Sequence, residues 1–496
     1  MKNAMFQNWK IQHLKSSRSL RSLLWMIGSS ALLLFACSSL RHGLFQSNAW
    51  DLGIFDQPLY LLSRGLPPVS TIVGVHILGD HAAWIFYPLA LLYWLYPDVH
   101  WLFLVQAISL AVAALPTWYL ARQAGLGEKQ AIAISASYLL YPLVFNLNLF
   151  DFHPEVIALP LILISIWAAR AGQVGWFTVC IWIVLGCRDA LSLTVIGMGA
   201  WLGLFEKRRW CGAIALVSGL VWFIIATKII LPHFQPAGIL GLSYYAEFGK
   251  SIPEILLNLV LRPDLLLKRL LTLENLGYLL LLIAPLAWAI PFRSPLPPAP
   301  CPPASSPPAP CPLRLFLPLI AAIPQLALNL LSYHPAQKNL VHQYSLPILP
   351  FLLVVAIATL ATGQSLLQQP RRIILWSLVA FFALAQFPLF AGRYLSTLDT
   401  WQASRRAIAQ INTPGPVLAP AALVPHLSHR ALIHVVAKPA TTQLQRYDHL
   451  LFNLRHPGRL STPEAVQQLI NQAQENPQWQ LRFHQDNVYL FSRLAN

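Results

Sequence analysis

The chain has 496 residues, of which 56% are hydrophobic and 10% charged, with a formal net charge of +16 and a mean hydropathy of +0.55. A soluble globular protein carries about 25% charged residues, so composition excludes a soluble enzyme and points to a polytopic membrane protein. The excess of Lys and Arg is not a nucleic-acid signal, and no nucleic-acid partner is expected: these residues sit in short loops beside apolar runs, where cytoplasmic loops concentrate positive charge.

Lys2, Lys10, Lys15, Arg18 and Arg21 form a basic cytoplasmic N-terminus, residues 1–21. The apolar run at 22–40 has no small-residue cleavage site and is expected as a retained first span rather than a signal peptide. It leaves 41–98 outside the cytoplasm, with the aromatic stretch 81–97 as a helix lying in the interface, because Trp and Tyr favour the headgroup level. Further spans are expected at 99–120, 130–148, 155–169, 174–187, 190–205 and 211–231. A long outer loop, 232–275, carries amphipathic segments before the next span at 276–292. The Pro-rich tract 293–314, with PPAPCP twice, reads as a disordered cytoplasmic loop. Spans at 315–332, 344–362 and 372–391 bring the total to about eleven, each near the ~20 apolar residues a bilayer crossing needs. Arg122, Lys129, Arg170, Lys207, Arg208, Arg209, Arg293, Arg314, Arg371 and Arg372 then all fall on the cytoplasmic side.

The tail, 393–496, differs in kind. Short β-like runs (PVLAP, ALIHVV, HLLFNL, LRFHQ, VYLFS) and a capped helix beginning at Ser461-Thr462-Pro463-Glu464 predict a small soluble α/β domain on the outer face. The fold class is thus an all-α polytopic membrane protein with a C-terminal α/β extracytoplasmic domain. The six cysteines show no CxxC or Cys/His metal spacing and read as packing residues.

Acids and imidazoles gather at the outer turns. Asp51 and Asp56 follow the first span, and either could cap a surface helix, act as general base on a hydroxyl or hold a metal through oxygen. Gly79-Asp80-His81 closes the same loop, and a carboxylate beside an imidazole fixes its tautomer or shares a metal with it. Asp151, His153 and Glu155 alternate at the next outer turn, where an acidic first helical turn is the plainer reading. Arg188 could hold a phosphate or be neutralised by Asp189. Lys338, His342 and Tyr344 form the last outer turn, whose cations could cradle a phosphate. No P-loop, Rossmann fingerprint, HExxH or GxSxG occurs.

WDLGIFDQ after the first span, GDH before an aromatic helix, FDFHPE and CRDAL together resemble a bacterial multi-pass membrane family of unknown function that is grouped with the GT-C glycosyltransferases. The resemblance covers about residues 20–400, and the tail is also similar to that family's C-terminal region. It implies an enzyme of the bacterial plasma membrane that takes a sugar from a polyprenyl-phosphate donor and passes it to an extracytoplasmic acceptor: a lipid, glycan or protein. An acid in the first outer loop would be catalytic. Asp51 matches its position best, and Asp56-Gln57-Pro58-Leu59-Tyr60 resembles an Asp-Glu-x-x-Tyr pattern of related transferases. His342-Gln343-Tyr344-Ser345-Leu346-Pro347 is similar to an Arg-Tyr-x-x-Pro stretch. On this scheme Arg188, Lys338 and His342 face the leaving phosphate, and Asp151 and Glu155 face the charged sugar ring. Asp80 and His81 join Asp51 at the catalytic centre, directly or by holding a divalent cation, Mg or Mn. The rival readings are a transporter or flippase, which would place charges near the midplane and show internal repeats, and a non-catalytic envelope assembly factor.

Overall fold

The computed structural model describes residues 18–292, except 237 and 239, and 312–494, except 438–441 and 459. The N-terminal lysines and most of the expected Pro-rich loop, with Arg293, lie outside the described residues.

Long apolar runs with no water at hand must satisfy their own backbone, and helices do so. Among the described residues six helices are long and apolar enough to cross a membrane, from Ser19–Gly43 to Pro370–Ile408, and eight if two bent pairs each count as one span. One of these pairs, Glu128–Leu139 and Pro142–Asn148, bends by 41° at a proline that starts its second half. The other predicted spans, at 155–169, 174–187 and 190–205, are helices of 17, 12 and 14 residues, Glu155–Ala171, Val174–Leu185 and Leu191–Leu204. At ~1.5 Å per residue these fall short of a ~30 Å hydrocarbon core. Length and composition therefore support six to eight crossings; Glu155–Ala171 and Leu191–Leu204 are largely buried, whereas Val174–Leu185 leaves Trp176, Val179 and Trp182 exposed.

The hairpin between Leu191–Leu204 and Arg209–Ile225 is packed on glycine. A Cβ at Gly212 would lie 2.7 Å from the Gly203 Cα, and one at Gly199 would lie 2.6 Å from the Leu216 nitrogen. Small residues let membrane helices approach this closely.

Helix ends sort by charge. Arg170, at one end of Glu155–Ala171, pairs with Glu206 at 2.7 Å and accepts on its carbonyl from Arg208. Glu155, at the opposite end, joins the turns around 41–56, 81, 150–155 and 186–189. In the first loop, a hairpin of β1 (Val69–Ser70) and β2 (Val75–His76) leads to the short helix Ile77–His81 and then to Phe86–Leu95, whose Leu91, Trp94 and Leu95 are exposed as an interfacial helix requires. The helices Ile252–Leu261 and Pro263–Leu270 in the next long loop bury none of their residues.

The tail forms a five-stranded sheet from the five expected runs: β3 (Val417–Ala419), β4 (Ile433–Val435), β5 (His449–Asn453), β6 (Trp479–Gln485) and β7 (Val488–Arg493), in the order β4-β3-β5-β7-β6. β3 runs parallel to β4 and β5, while β7 is antiparallel to β5 and β6. Asp486 and Asn487, both at positive φ, turn β6 into β7 as a two-residue hairpin demands. Alternate residues separate the two faces. Val417, Leu451 and Leu490 pack with Ala403, Ala407 and the first-loop residues Phe45 and Ala49. Leu418, Leu450 and Phe491 pack with the helix Pro463–Glu475, which Thr462 caps. The first loop therefore shares a core with the tail.

Gly212→Val should cost about 1–3 kcal/mol through overpacking. It would be read as a lower unfolding midpoint in detergent, with Gly28→Val, which has open space around it, as the unaffected control.

Candidate active site at the loop end of the bundle

Arg41 ends the first span and forms a buried bidentate pair with Asp151. The same carboxylate accepts from the Asn48 N–H at 3.1 Å, and Arg41 Nη2 donates to the Gln46 carbonyl at 2.7 Å. Asn48 then caps the short turn Ala49–Gly53 by accepting from the Trp50 N–H at 3.0 Å. Asp51 sits in that turn, half-buried and within electrostatic reach of Arg41. The clamp thus fixes where the first-loop acid stands.

A second set is built on two chain segments lying side by side. The Ile85 N–H donates to the Gly186 carbonyl and the Asp189 N–H to the His81 carbonyl, both at 3.0 Å. Gly186 is required here, because a Cβ would enter the Trp84 ring. This brings His81 between two carboxylates, with Nε2 3.7 Å from Asp80 and Nδ1 3.4 Å from Asp189. Burial and Arg188 work against protonation of His81, but Asp80 and Asp189 outweigh them and raise its pKa. Burial likewise opposes ionisation of Asp189, and His81 holds it below the usual carboxylate range all the same. Arg188 does not pair with Asp189. It pairs with buried Glu155, which together with Tyr344 and Asp189 outweighs its desolvation and keeps it charged. The Tyr344 ring lies 5.4 Å from its guanidinium carbon.

His153 stacks on Phe150 with centroids 5.4 Å apart, and Phe150 meets His342 edge-on at 4.3 Å. Burial lowers the pKa of His153 and pushes that of His342 down to about 4, with His153, His334 and Arg393 adding to the latter. His342 is therefore an uncharged group at neutral pH and not one of the cations. Lys338 is buried at its tip and bonded to Glu274 at 2.9 Å. Asp151, His153 and Glu155 thus look three ways from one turn, toward Arg41, Phe150 and Arg188.

Asp56 belongs to a different set. It is fully buried and accepts from Tyr93 at 2.5 Å, from Ser428 and from His429. Burial would raise its pKa; the His429 charge and these bonds lower it. Ser428 and His429 come from the tail and Tyr93 from the first loop, so Asp56 joins the sheet region to that loop. Gln57 extends that seam with bonds to Thr71 and the Arg430 carbonyl.

The cation expected at Asp51, Asp80 and His81 does not fit the donors present. Both His81 ring nitrogens already face carboxylates, and among the described residues no three His, Cys, Asp or Glu side chains converge as they would around a metal. Arg41, Tyr93, Ser428 and His429 were not singled out in the sequence. Arg41 carried a usable signal, since a charge at the end of an apolar span needs a partner. The tail residues carried none, because their partners lie hundreds of residues away.

A bundle of apolar helices, with buried acids, imidazoles and their arginine partners gathered at one end and a small sheet packed on the loop between its first two spans, defines a multi-pass membrane protein. The chain belongs to the DUF2079 family of predicted membrane proteins, which it matches over residues 41–304 and 303–490. Among solved structures it is similar to ArnT from Cupriavidus metallidurans bound to undecaprenyl phosphate, with a TM-score of 0.54, 13% identity, and coverage of 95% of this chain and 98% of that one. The apo state of the same protein gives 0.53 at 14% identity, with 97% and 99% covered. No curated protein matches the chain in sequence.

His81 titrates higher in the folded protein than its ordinary 6.5, so its contribution to stability is whole below that pH and is lost as pH rises through the folded value. Thermal unfolding followed from about pH 6 to 9 should show a decline that flattens in His81→Gln; equal slopes would remove the Asp80–His81–Asp189 coupling.

Proposed function

We propose that the chain is an integral-membrane glycosyltransferase that moves a sugar from a polyprenyl-phosphate donor to an extracytoplasmic acceptor. The observation that carries this reading is a fold likeness along almost the full length of both chains to a protein crystallised with undecaprenyl phosphate. The cluster of acids and cations at one end of the bundle supports it.

In this reading Asp51 takes the proton of the acceptor hydroxyl. The acceptor oxygen forms the new bond to C1 as the C1–O bond to the lipid phosphate breaks, and the polyprenyl phosphate leaves with the electron pair. Direct displacement inverts the anomeric centre. Negative charge grows on the departing phosphate, so a preorganised cation lowers the barrier most. Arg188 fits that role, since Glu155 and Tyr344 hold it in one place; Lys338 is the second cation. Neutral His342 serves as a hydrogen-bonding group rather than a charge. Asp80 and His81 act as a positioning pair through Asp189. The donor enters from the bilayer and the reaction takes place on the non-cytoplasmic side of the bacterial plasma membrane.

Purified protein supplied with a panel of labelled polyprenyl-phosphate sugars and an envelope extract as acceptor should transfer label. Asp51→Asn should lower kcat by roughly 10²–10⁴-fold, the usual contribution of a general base, with KM little changed. Absence of transfer or hydrolysis across the panel, in protein of intact fold, would end the enzymatic reading. Labelling of an Asp51→Cys variant by a membrane-impermeant maleimide in intact cells should succeed; protection from it would reverse the assigned side.

A further inference from the structure

The long outer loop ends in the two short helices Ile252–Leu261 and Pro263–Leu270. At ~1.5 Å per residue neither can cross a ~30 Å hydrocarbon core. Ser251 caps the first by accepting from the Glu254 N–H, and the second bends by 55° from Leu273–Ala289, which follows it. The pair lies at the candidate-site end. The Tyr333 N–H donates to the Tyr244 carbonyl and the Tyr245 hydroxyl to the Leu328 carbonyl, both at 3.0 Å, so the loop rests on the segment that leads to Tyr344 and Arg188.

The two sides of the pair differ. Inward go its polar bonds. Asn258 donates to the carbonyl of buried Phe248 at 2.7 Å. Arg269 donates to the Leu331 and Ser332 carbonyls, with its guanidinium carbon 3.8 Å from the centre of the Tyr333 ring. Asn275 closes the bend by donating to the Arg269 carbonyl at 2.8 Å and the Leu330 carbonyl at 3.1 Å. Outward, Leu256, Leu257, Val260, Leu261, Leu267 and Leu271 are each 54% to 81% exposed. The acids beside this face are engaged: Asp264 pairs with Arg262 at 3.0 Å, and Glu254 accepts from the Lys250 N–H at 2.8 Å. A helix pair standing in water turns its leucines inward and its polar groups outward; this pair does the opposite, and so wide an apolar face is costly in water. The face also continues into the following helix, where Leu273, Leu276 and Leu280 are 87%, 54% and 60% exposed. The outward side of a span meets acyl chains.

We propose that residues 252–271 form a membrane-surface anchor, lying along the leaflet at the candidate-site end with this leucine face against phospholipid. Helices of this kind sink ~5–10 Å into the boundary between headgroups and acyl chains. Exposed Lys268, on the same helix as Leu267, reaches the headgroups on its flexible stem. The occupant is lipid rather than a second copy of this chain, because the face runs on from the outward side of a span. The inward side of the anchor grips Leu331–Tyr333, so the leaflet sets the level of the segment that leads to Lys338. Anchoring requires no sugar transfer, and a failed transfer assay leaves it standing.

The test uses full-length protein in phosphatidylcholine nanodiscs, with the photo-crosslinker p-benzoylphenylalanine placed at one position at a time and the adducts weighed by mass spectrometry. At Leu257 or Val260 it should capture phosphatidylcholine with a yield within about twofold of that at Leu276 on the following helix. The yield should stand about tenfold or more above that at Gln472, which is exposed on the tail helix Pro463–Glu475. In a second measurement, Leu257→Glu combined with Val260→Glu should speed amide hydrogen exchange across 252–261 by about tenfold or more, because helices with few packed contacts stay closed only while lipid covers them. Exchange in the tail sheet should be unchanged, which shows that the double variant has folded. Adducts of twice the chain mass would assign the face to a second copy, and yields no higher than at Gln472 would place it in water. Either result overturns the proposal, as does exchange in the double variant as slow as in the wild type.

Discussion

Burying a charge is expensive unless an opposite charge and hydrogen bonds meet it, and the Arg41–Asp151 pair is where this constraint shapes the protein. Arg41 ends the first span; Asp151 ends the bent pair that includes Pro142–Asn148. Their pairing ties two helices together at the level where the apolar bundle stops. Because Asp151 also takes the Asn48 N–H, the same bond sets the path of the first loop. Asp51 stands in the turn that follows. The neighbouring Phe45 and Ala49 then enter the core of the tail sheet. Helix end, candidate acid and tail sheet are thus positioned by one ion pair.

The remaining charges obey the same rule in other pairings. Glu155 takes Arg188, Asp189 and Asp80 take His81, Glu274 takes Lys338, and Asp56 takes His429 with two hydroxyls. Such a set is rigid, and preorganisation of this kind is what stabilisation of a departing phosphate would require. It also separates two regions that the first loop brings near each other. Asp51 and the Arg188 network lie with the helix turns, whereas Asp56 lies in the seam with the tail, where its satisfied carboxylate is better suited to holding the two parts together than to taking up a proton.

Much was legible without coordinates because membrane burial leaves strong marks. Apolar runs, prolines at their boundaries and basic turns gave the helices in order, and alternating patterns in 416–492 gave all five strands. The aromatic run before Pro97 forms the helix Phe86–Leu95. The gathering of acids and imidazoles followed from topology. Partner choice did not. Adjacent Arg188 and Asp189 look like a pair in one dimension, but they point to Glu155 and His81 on different elements. The length of a crossing was also less certain than its presence, since a helix of 12 or 14 residues is as apolar as a spanning one.

By itself the sequence determined that this is a multi-pass membrane protein with a small α/β tail, because hydrophobicity and backbone pairing are local properties that accumulate along a run of residues. Only the tertiary structure decided which acid meets which base, that Asp56 belongs to the tail seam, and that His426 stacks on His42. The last two relations join positions more than three hundred residues apart. Charges act through space, and the distances between them exist only once the chain has folded.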